Sequence, residues 1–163
     1  MHAIELLEGQ HREVEEMFEQ FEAAGERARA RKEQLCRKIG DALAIHAAIE
    51  EKIFYPATKS SRTEDELREA VEEHLAAKRV IADLLDTEVA DEQFDAKMKV
   101  LKEMIEHHVQ EEEGELFPMA RKQLGSQRLE ELGEEMEEMA GQLEEQGDAR
   151  MQVKDETDRA API

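Results

Sequence analysis

Histidines and glutamates recur at matched positions in the two halves of this 163-residue chain. His46 is followed four residues later by Glu50, and His108 is followed four residues later by Glu112. Residues four apart lie on one face of a helix, so each pair would present an imidazole and a carboxylate together. Iron, and less exclusively manganese, prefers this mixed set of donors, and zinc fits it more loosely.

The matched spacing is part of an internal repeat. The interval that separates the two histidine–glutamate pairs also separates the prolines that follow them, Pro56 and Pro118. Two further histidines, His11 and His74, are separated by nearly the same interval. Such a repeat predicts two helical hairpins, and their simplest closed form is an all-α, antiparallel up-down four-helix bundle with a pseudo-twofold axis.

Apolar residues recur at steps of three and four along four segments, as one face of an amphipathic helix requires. These stripes span residues 4–21, 35–53, 67–84 and 94–119. One histidine falls within each stripe: His11, His46, His74 and His108. His107 lies roughly 100° around the helix from its neighbour His108, so His108 is the one predicted to face the core.

The remaining sequence divides into two parts. A fifth amphipathic segment follows Gly125, with apolar residues at coiled-coil spacing. We expect a bundle over residues 1–122 and a C-terminal amphipathic helix over 123–146, packed on the bundle or on a partner. Residues 147–163 are polar and without period, which predicts a frayed or disordered tail.

Composition and charge narrow the function classes. The 42 acidic residues outnumber the 22 basic ones, for a net charge of −20, so a phosphate backbone or an anionic membrane would be repelled. No apolar run approaches the roughly 18 residues of a membrane span, and the first residues are acidic rather than a basic, apolar leader. We therefore expect a cytoplasmic protein with neither a nucleic acid nor a membrane partner. A single cysteine, Cys36, excludes an intrachain disulfide and a thiolate cluster.

One buried histidine is commonplace, but four in phase with two carboxylates are not. Burying six ionisable groups costs several kcal/mol per unpaired charge, so something must neutralise them. A dinuclear metal site would do so, and its predicted ligands are His11, His46, Glu50, His74, His108 and Glu112. Glu15, Glu73 and the glutamates beside Glu112 are expected on a solvated face. Tyr55 either packs at a helix end or hydrogen-bonds near the metal.

These residues resemble the hemerythrin-like family, also called HHE cation-binding domains. The resemblance covers about residues 1–122, and the fifth helix is similar to the usual extension of that family. It implies a non-haem di-iron centre bridged by glutamates, with Mn or Zn as alternative metals. It also implies that His11, His46 and Glu50 come from one half, and His74, His108 and Glu112 from the other.

One departure from the family bears on function. Oxygen-carrying members place a further histidine one turn after the third-helix ligand, where this chain has Lys78. With one imidazole fewer, open metal positions favour sensing or detoxification of O2, NO or peroxide, including catalase-like turnover, over reversible oxygen carriage. Two alternatives stay open: an iron-binding, storage or regulatory module without redox turnover, and a metal-free acidic helical adaptor. The oligomeric state is also open.

Overall fold

The protein is an antiparallel four-helix bundle with an additional C-terminal helix, as the sequence predicted. A computed structural model describes residues 1–25 and 27–163, and these ranges contain no strand. In the same ranges no helix combines the length and apolar character that crossing a bilayer requires. The α-helices are α1 (Ala3–Ala23), α2 (Arg29–Ile49), α3 (Tyr55–Thr58), α4 (Glu64–Leu85), α5 (Phe94–Glu111) and α6 (Phe117–Gln146).

Two π-helical turns extend the second and fourth long helices. They span Glu50–Phe54, which joins α2 to α3, and Glu112–Leu116, which joins α5 to α6. The following prolines, Pro56 and Pro118, lie in the first turn of the next helix. Because proline has no N–H to bond the carbonyl four residues back, a regular α-helix would break there. The wider turn lets the chain stay helical past both prolines, for two residues after Pro56 and for most of α6 after Pro118.

The apolar core is divided into two clusters. One contains Ile4, Leu7 and Ile49 together with much of the inner face of α6. The other contains Val14, Leu43 and Ile81 and fills the opposite end of the bundle. The four in-phase histidines occur between these clusters along their helices, so a polar layer crosses the middle of the bundle.

The C-terminal helix α6 packs on α1 and α2. Gly125 interrupts it with a φ of 73°, a conformation that glycine adopts without strain. Gly133 allows a close approach to the start of the chain, because a Cβ there would clash with the carbonyl oxygen of Met1. The fifth segment of the sequence is therefore held against the bundle of its own chain.

The polar segment after Gly147 differs from the expectation of disorder. Ala149–Glu156 forms a 3-10 helix that packs against α2 and α4, with Val153 buried. Charged side chains hold it, for example Arg150 against Asp41 at 3.1 Å. Hydrophobic periodicity carries no signal for such a segment, because Val153 is the one buried residue of this 3-10 helix.

Candidate metal centre

Six ionisable side chains converge in the middle of the bundle, and each is at least nine-tenths buried. Four are imidazoles carried by α1, α2, α4 and α5, and two are carboxylates from the first residue of each π-turn. They are the six predicted from the sequence: His11, His46, Glu50, His74, His108 and Glu112.

The first group of donor atoms joins both halves of the chain. The Nε2 atoms of His11 and His46 lie 3.1 Å apart. Glu50 Oε1 is 3.0 Å from His46 Nε2, and Glu112 Oε1 is 3.2 Å from His11 Nε2. These four residues offer atoms that all lie within 4.8 Å of one another, as ligands of one ion would.

The second group is built around the other two histidines and shares one carboxylate with the first. The Nε2 atoms of His74 and His108 lie 3.2 Å apart, and Glu50 Oε2 is 3.0 Å from His74 Nε2. Glu112 Oε2 also lies 3.5 Å from His108 Nε2. Each glutamate therefore faces histidines of both halves.

Two carboxylate oxygens test whether this donor set fits a metal. Glu50 Oε1 and Glu112 Oε1 are buried and accept no hydrogen bond, although imidazole nitrogens lie close to both. A buried, unsatisfied carboxylate oxygen is costly. Donor atoms bound to one ion at about 2.1 Å and at right angles lie about 3 Å apart, which is the separation found here. The residues present thus fit a bound cation.

A second layer of side chains orients the four imidazoles. In every case Nδ1 points outward to an oxygen on another helix or turn, which leaves Nε2 pointing inward. The pairs are His11 with Glu113 (3.2 Å), His46 with Gln10 (2.6 Å), His74 with Glu51 (2.7 Å) and His108 with Glu73 (2.8 Å).

The outer layer fixes the protonation of the rings. A carboxylate can only accept, so Nδ1 of His74 donates to Glu51 and Nδ1 of His108 donates to Glu73. In a neutral imidazole the inward Nε2 is then an unprotonated donor for a metal. The layer also follows the internal repeat, because Gln10 and Glu73 directly precede the repeat-related histidines His11 and His74.

Sequence reasoning missed this outer layer. Glu73 was expected on a solvated face, but its side chain is only 19% exposed and bonds His108. Glu113 was assigned to the surface, and it accepts from His11. Both look like members of ordinary glutamate runs. The usable signal was the internal repeat, which matches Glu113 with Glu51 as it matches Glu73 with Gln10.

Tyr55 is the other residue whose role the structure decides. Its hydroxyl lies 2.6 Å from Glu112 Oε2 and 3.0 Å from Glu50 Oε2, and it is 3.2 Å from His74 Nε2. Burial and the charges of the two glutamates raise its pKa well above the ordinary value. Tyr55 therefore keeps its proton and donates it at the point where the two carboxylates meet.

The two buried carboxylates of the cluster need compensating positive charge. Burial alone would raise the pKa of Glu50, but the neighbouring histidines outweigh it and hold that pKa well below its usual value. Burial alone would lower the pKa of His108, but Glu112 and further carboxylates raise it. Without an ion the carboxylates draw protons onto the imidazoles, and a divalent cation would supply the same compensation.

Two further candidate residues lie outside the ligand set. His107 is 63% exposed and lies near Glu73 and Glu111 on the surface. Lys78 Nζ donates to Glu51 Oε1 at 2.9 Å, and despite the cost of burial its carboxylate partners raise its pKa. A protonated ammonium has no lone pair for a metal, which excludes Lys78 as a ligand, and His107 is too exposed to reach the centre. Neither residue therefore replaces the fifth imidazole of the oxygen carriers.

Residues 2–120 match the protein family described as Hemerythrin HHE cation binding domain. The match spans more than half of the chain, and the chain belongs to this family. Family membership and the buried histidine and glutamate clusters together indicate a metal-binding protein.

The chain is also similar to one protein of known structure and to one curated protein. The crystal structure of the Rv2633c homologue from Mycobacterium kansasii, a hemerythrin HHE cation-binding domain-containing protein, is similar with a TM-score of 0.81 and 23% identity. That similarity covers 94% of this chain and 99% of the other, and it concerns the fold. A protein of Nostoc sp. named DNA nickase is 25% identical over 103 residues, which are 63% of this chain. The matched region is 29% of that relative, so its name describes a far longer protein.

Proposed function

We propose that this protein is a non-haem di-iron protein that binds or reacts with O2, NO or hydrogen peroxide, in sensing or in detoxification. Two donor groups that share Glu50 support two ions rather than one. Mixed imidazole and carboxylate donors suit iron best, with manganese or zinc as less favoured occupants. Iron bound there would supply open coordination positions and a change between ferrous and ferric states.

A small cavity beside the histidines is the observation that supports a small molecule as the ligand. Its volume is about 30 Å³, and its walls include the rings of His11, His46, His74 and His108. About 10–15 Å³ is enough for one water molecule, so the space suits a ligand of two or three atoms. Aliphatic side chains such as Ile81 and Ile105 form much of the remaining wall.

The chain's own groups prepare this space for reaction. The outer acceptors hold each Nε2 toward the centre, and the aliphatic wall excludes bulk water. Tyr55 holds a proton between Glu50 and Glu112, within reach of both carboxylates. Tyr55 does not line the cavity, so its hydroxyl acts on the ligand carboxylates and holds their orientation.

Lys78 favours reaction or sensing over reversible oxygen carriage. It takes the position at which oxygen carriers of the family have a further histidine, and its Nζ is engaged by Glu51 and Glu156. With His107 on the surface as well, four imidazoles face the centre. Fewer nitrogen donors leave more positions open to small ligands.

Metal analysis and optical spectroscopy of protein produced with iron available test the proposal. We expect two irons per chain, a charge-transfer spectrum of a bridged ferric pair, and a change of spectrum when NO, O2 or peroxide is added. Less than stoichiometric metal would reject the metal centre and favour a metal-free adaptor. Full iron content without any response to the three ligands would favour the alternative, a module for iron storage or regulation. Steady-state peroxide assays then decide whether the protein turns over.

A further inference from the structure

The cavity beside the histidines borders a groove on the outer surface of the protein. Ala44, Lys78 and Val153 line this cavity, and the same three residues line an outer groove of about 520 Å³. A residue that borders both spaces stands between them. The wall is thus made by one side chain each from α2, α4 and the 3-10 helix.

Val153 is the member of this wall that belongs to a separable segment. It is 2% exposed and packs with the apolar cluster that contains Ile81 and Leu43. It is also the one buried residue of the 3-10 helix Ala149–Glu156. The segment therefore inserts a single aliphatic side chain into the bundle.

Ion pairs on both sides hold the segment in place. The Arg150 guanidinium donates to both oxygens of Asp41 at 3.1 Å, and Lys154 Nζ donates to Asp86 at 2.7 Å. The Lys154–Asp86 pair is largely exposed and contributes little to stability, whereas the Arg150 side chain is only 14% exposed. These two pairs fasten the 3-10 helix to α2 and to the end of α4.

Lys78 links the segment to the candidate metal centre. Its Nζ lies 2.9 Å from Glu156 in the segment and 2.9 Å from Glu51, which accepts from the ligand His74. The position of the segment is thereby tied to the side chains around the cavity.

We propose that Val153 is the specificity-determining residue that limits the size of the molecule reaching the histidine cluster. The inference rests on the proposed function, because it concerns the ligand of the same site. Ligands of two or three atoms fit behind Val153, and a ring-sized ligand needs the isopropyl group to be shortened or displaced.

Xenon gas provides a test that needs no metal, since xenon enters apolar cavities. In the full chain with 13C-labelled methyl groups, Val153→Ala should raise the xenon affinity read at Ile81 and Ile105 by about tenfold. Val153→Leu adds a methylene and should abolish the response. The matched control is Met151→Ala, since Met151 is 48% exposed on the same 3-10 helix and its loss should change nothing. An unchanged xenon response in Val153→Ala would overturn the proposal.

Azide and imidazole, titrated optically into the ferric iron-loaded protein, test selection by size. The wild-type protein should bind azide and exclude imidazole, and Val153→Ala should raise the imidazole affinity by about tenfold while azide changes much less. Equal changes for both ligands would contradict size selection by Val153. If the protein takes up no iron, the proposed function fails, and the xenon measurement still decides the role of Val153.

Discussion

Tyr55 and Phe117 occupy equivalent positions in the two hairpins, each directly before the proline of its half, and each ring stacks on a histidine of the centre. The Phe117 and His11 rings are nearly parallel, with centroids 5.8 Å apart, and the Tyr55 and His74 rings are 5.5 Å apart. The two side chains differ by one hydroxyl, so only the first hairpin, through Tyr55, supplies a proton donor to the centre.

Tyr55→Phe should give both hairpins a phenylalanine before the proline and remove that donor. Glu112 Oε2 and Glu50 Oε2 would lose their shared hydrogen bond in a buried site, at a cost of about 1–3 kcal/mol in the free energy of unfolding of the metal-free protein. Chemical denaturation of the metal-free protein measures this, and the metal-loaded variant is the control, since bound cations satisfy the carboxylates. A loss below about 0.5 kcal/mol in the metal-free protein would show that the hydroxyl is unimportant for the cluster.

Replacing a ligand should remove metal and stability together. His46→Ala or Glu112→Ala is expected to lower the iron content toward one ion or none and the Tm by roughly 5–10 °C. His107→Ala is the control, because His107 is 63% exposed and one position from the ligand His108. Elemental analysis and thermal melts check both effects. If His107→Ala lost as much metal as the ligand variants, the assignment of the fourth histidine would be wrong.

Glu73 should affect metal affinity without touching the metal. Glu73→Gln keeps the shape of the side chain but makes it a weaker acceptor for Nδ1 of His108, which should weaken affinity about 10–100-fold. Competition with a chelator of known affinity measures the change. Glu69→Gln, an exposed change on the same helix, should leave affinity at the wild-type value, and equal losses in the two variants would point to surface charge instead.

Cys36 should react slowly with alkylating reagents. Burial raises the pKa of its thiol to about 11 from an ordinary 9.0, in spite of the neighbouring Arg150 and Arg37. The thiolate is the reactive form, and at pH 8 a smaller fraction of Cys36 is thiolate in the folded protein than in the unfolded chain. The rate with iodoacetamide should climb with pH until about 11. A rate that levels off near 9.0 would contradict the burial effect.

The raised pKa of Cys36 also means that the free energy of unfolding declines as pH rises above 9.0, because the unfolded chain loses its thiol proton first.

Two glycines of α6 should respond in opposite directions to alanine. A Cβ at Gly133 would clash with the Met1 carbonyl oxygen, so Gly133→Ala should cost about 1–3 kcal/mol of unfolding free energy. Gly141 has nothing within 4 Å of its Cβ position, and Gly141→Ala should add up to about 1 kcal/mol through helix propensity. Urea denaturation compares the two, and a stabilised Gly133→Ala would show that the N-terminal contact is weak.

The sequence predicted the bundle and the inner residues because both depend on local periodicity. A histidine inside an apolar stripe, such as His11 or His74, must face the core whatever the neighbouring helices do. The choice of His108 over His107 followed from phase alone, and the exposure of His107 agrees with it. Phase could not show that Glu50 faces histidines of both halves, which depends on how the helices pack.

The features that sequence reasoning missed are those that periodicity does not encode. The π-turns shift the phase of a helix by an inserted residue, and the spacing of apolar residues does not reveal that insertion. Glu73 and Glu113 lie at the edge of the core, where hydropathy cannot separate a hydrogen-bonded carboxylate from a solvated one. Val153 is one aliphatic residue in a polar stretch, and its burial depends on distant ion pairs.

The division of the apolar interior by a polar layer determines how cooperatively the molecule unfolds. With cations bound, ligands from four helices tie the two ends of the bundle into one unit. Without them, each apolar cluster has its own packing, and helix continuity and the hydrogen bonds of the polar layer alone connect the two. Amide hydrogen exchange of the metal-free protein should then resolve two sets of opening events, one at each end, where the loaded protein shows a single one.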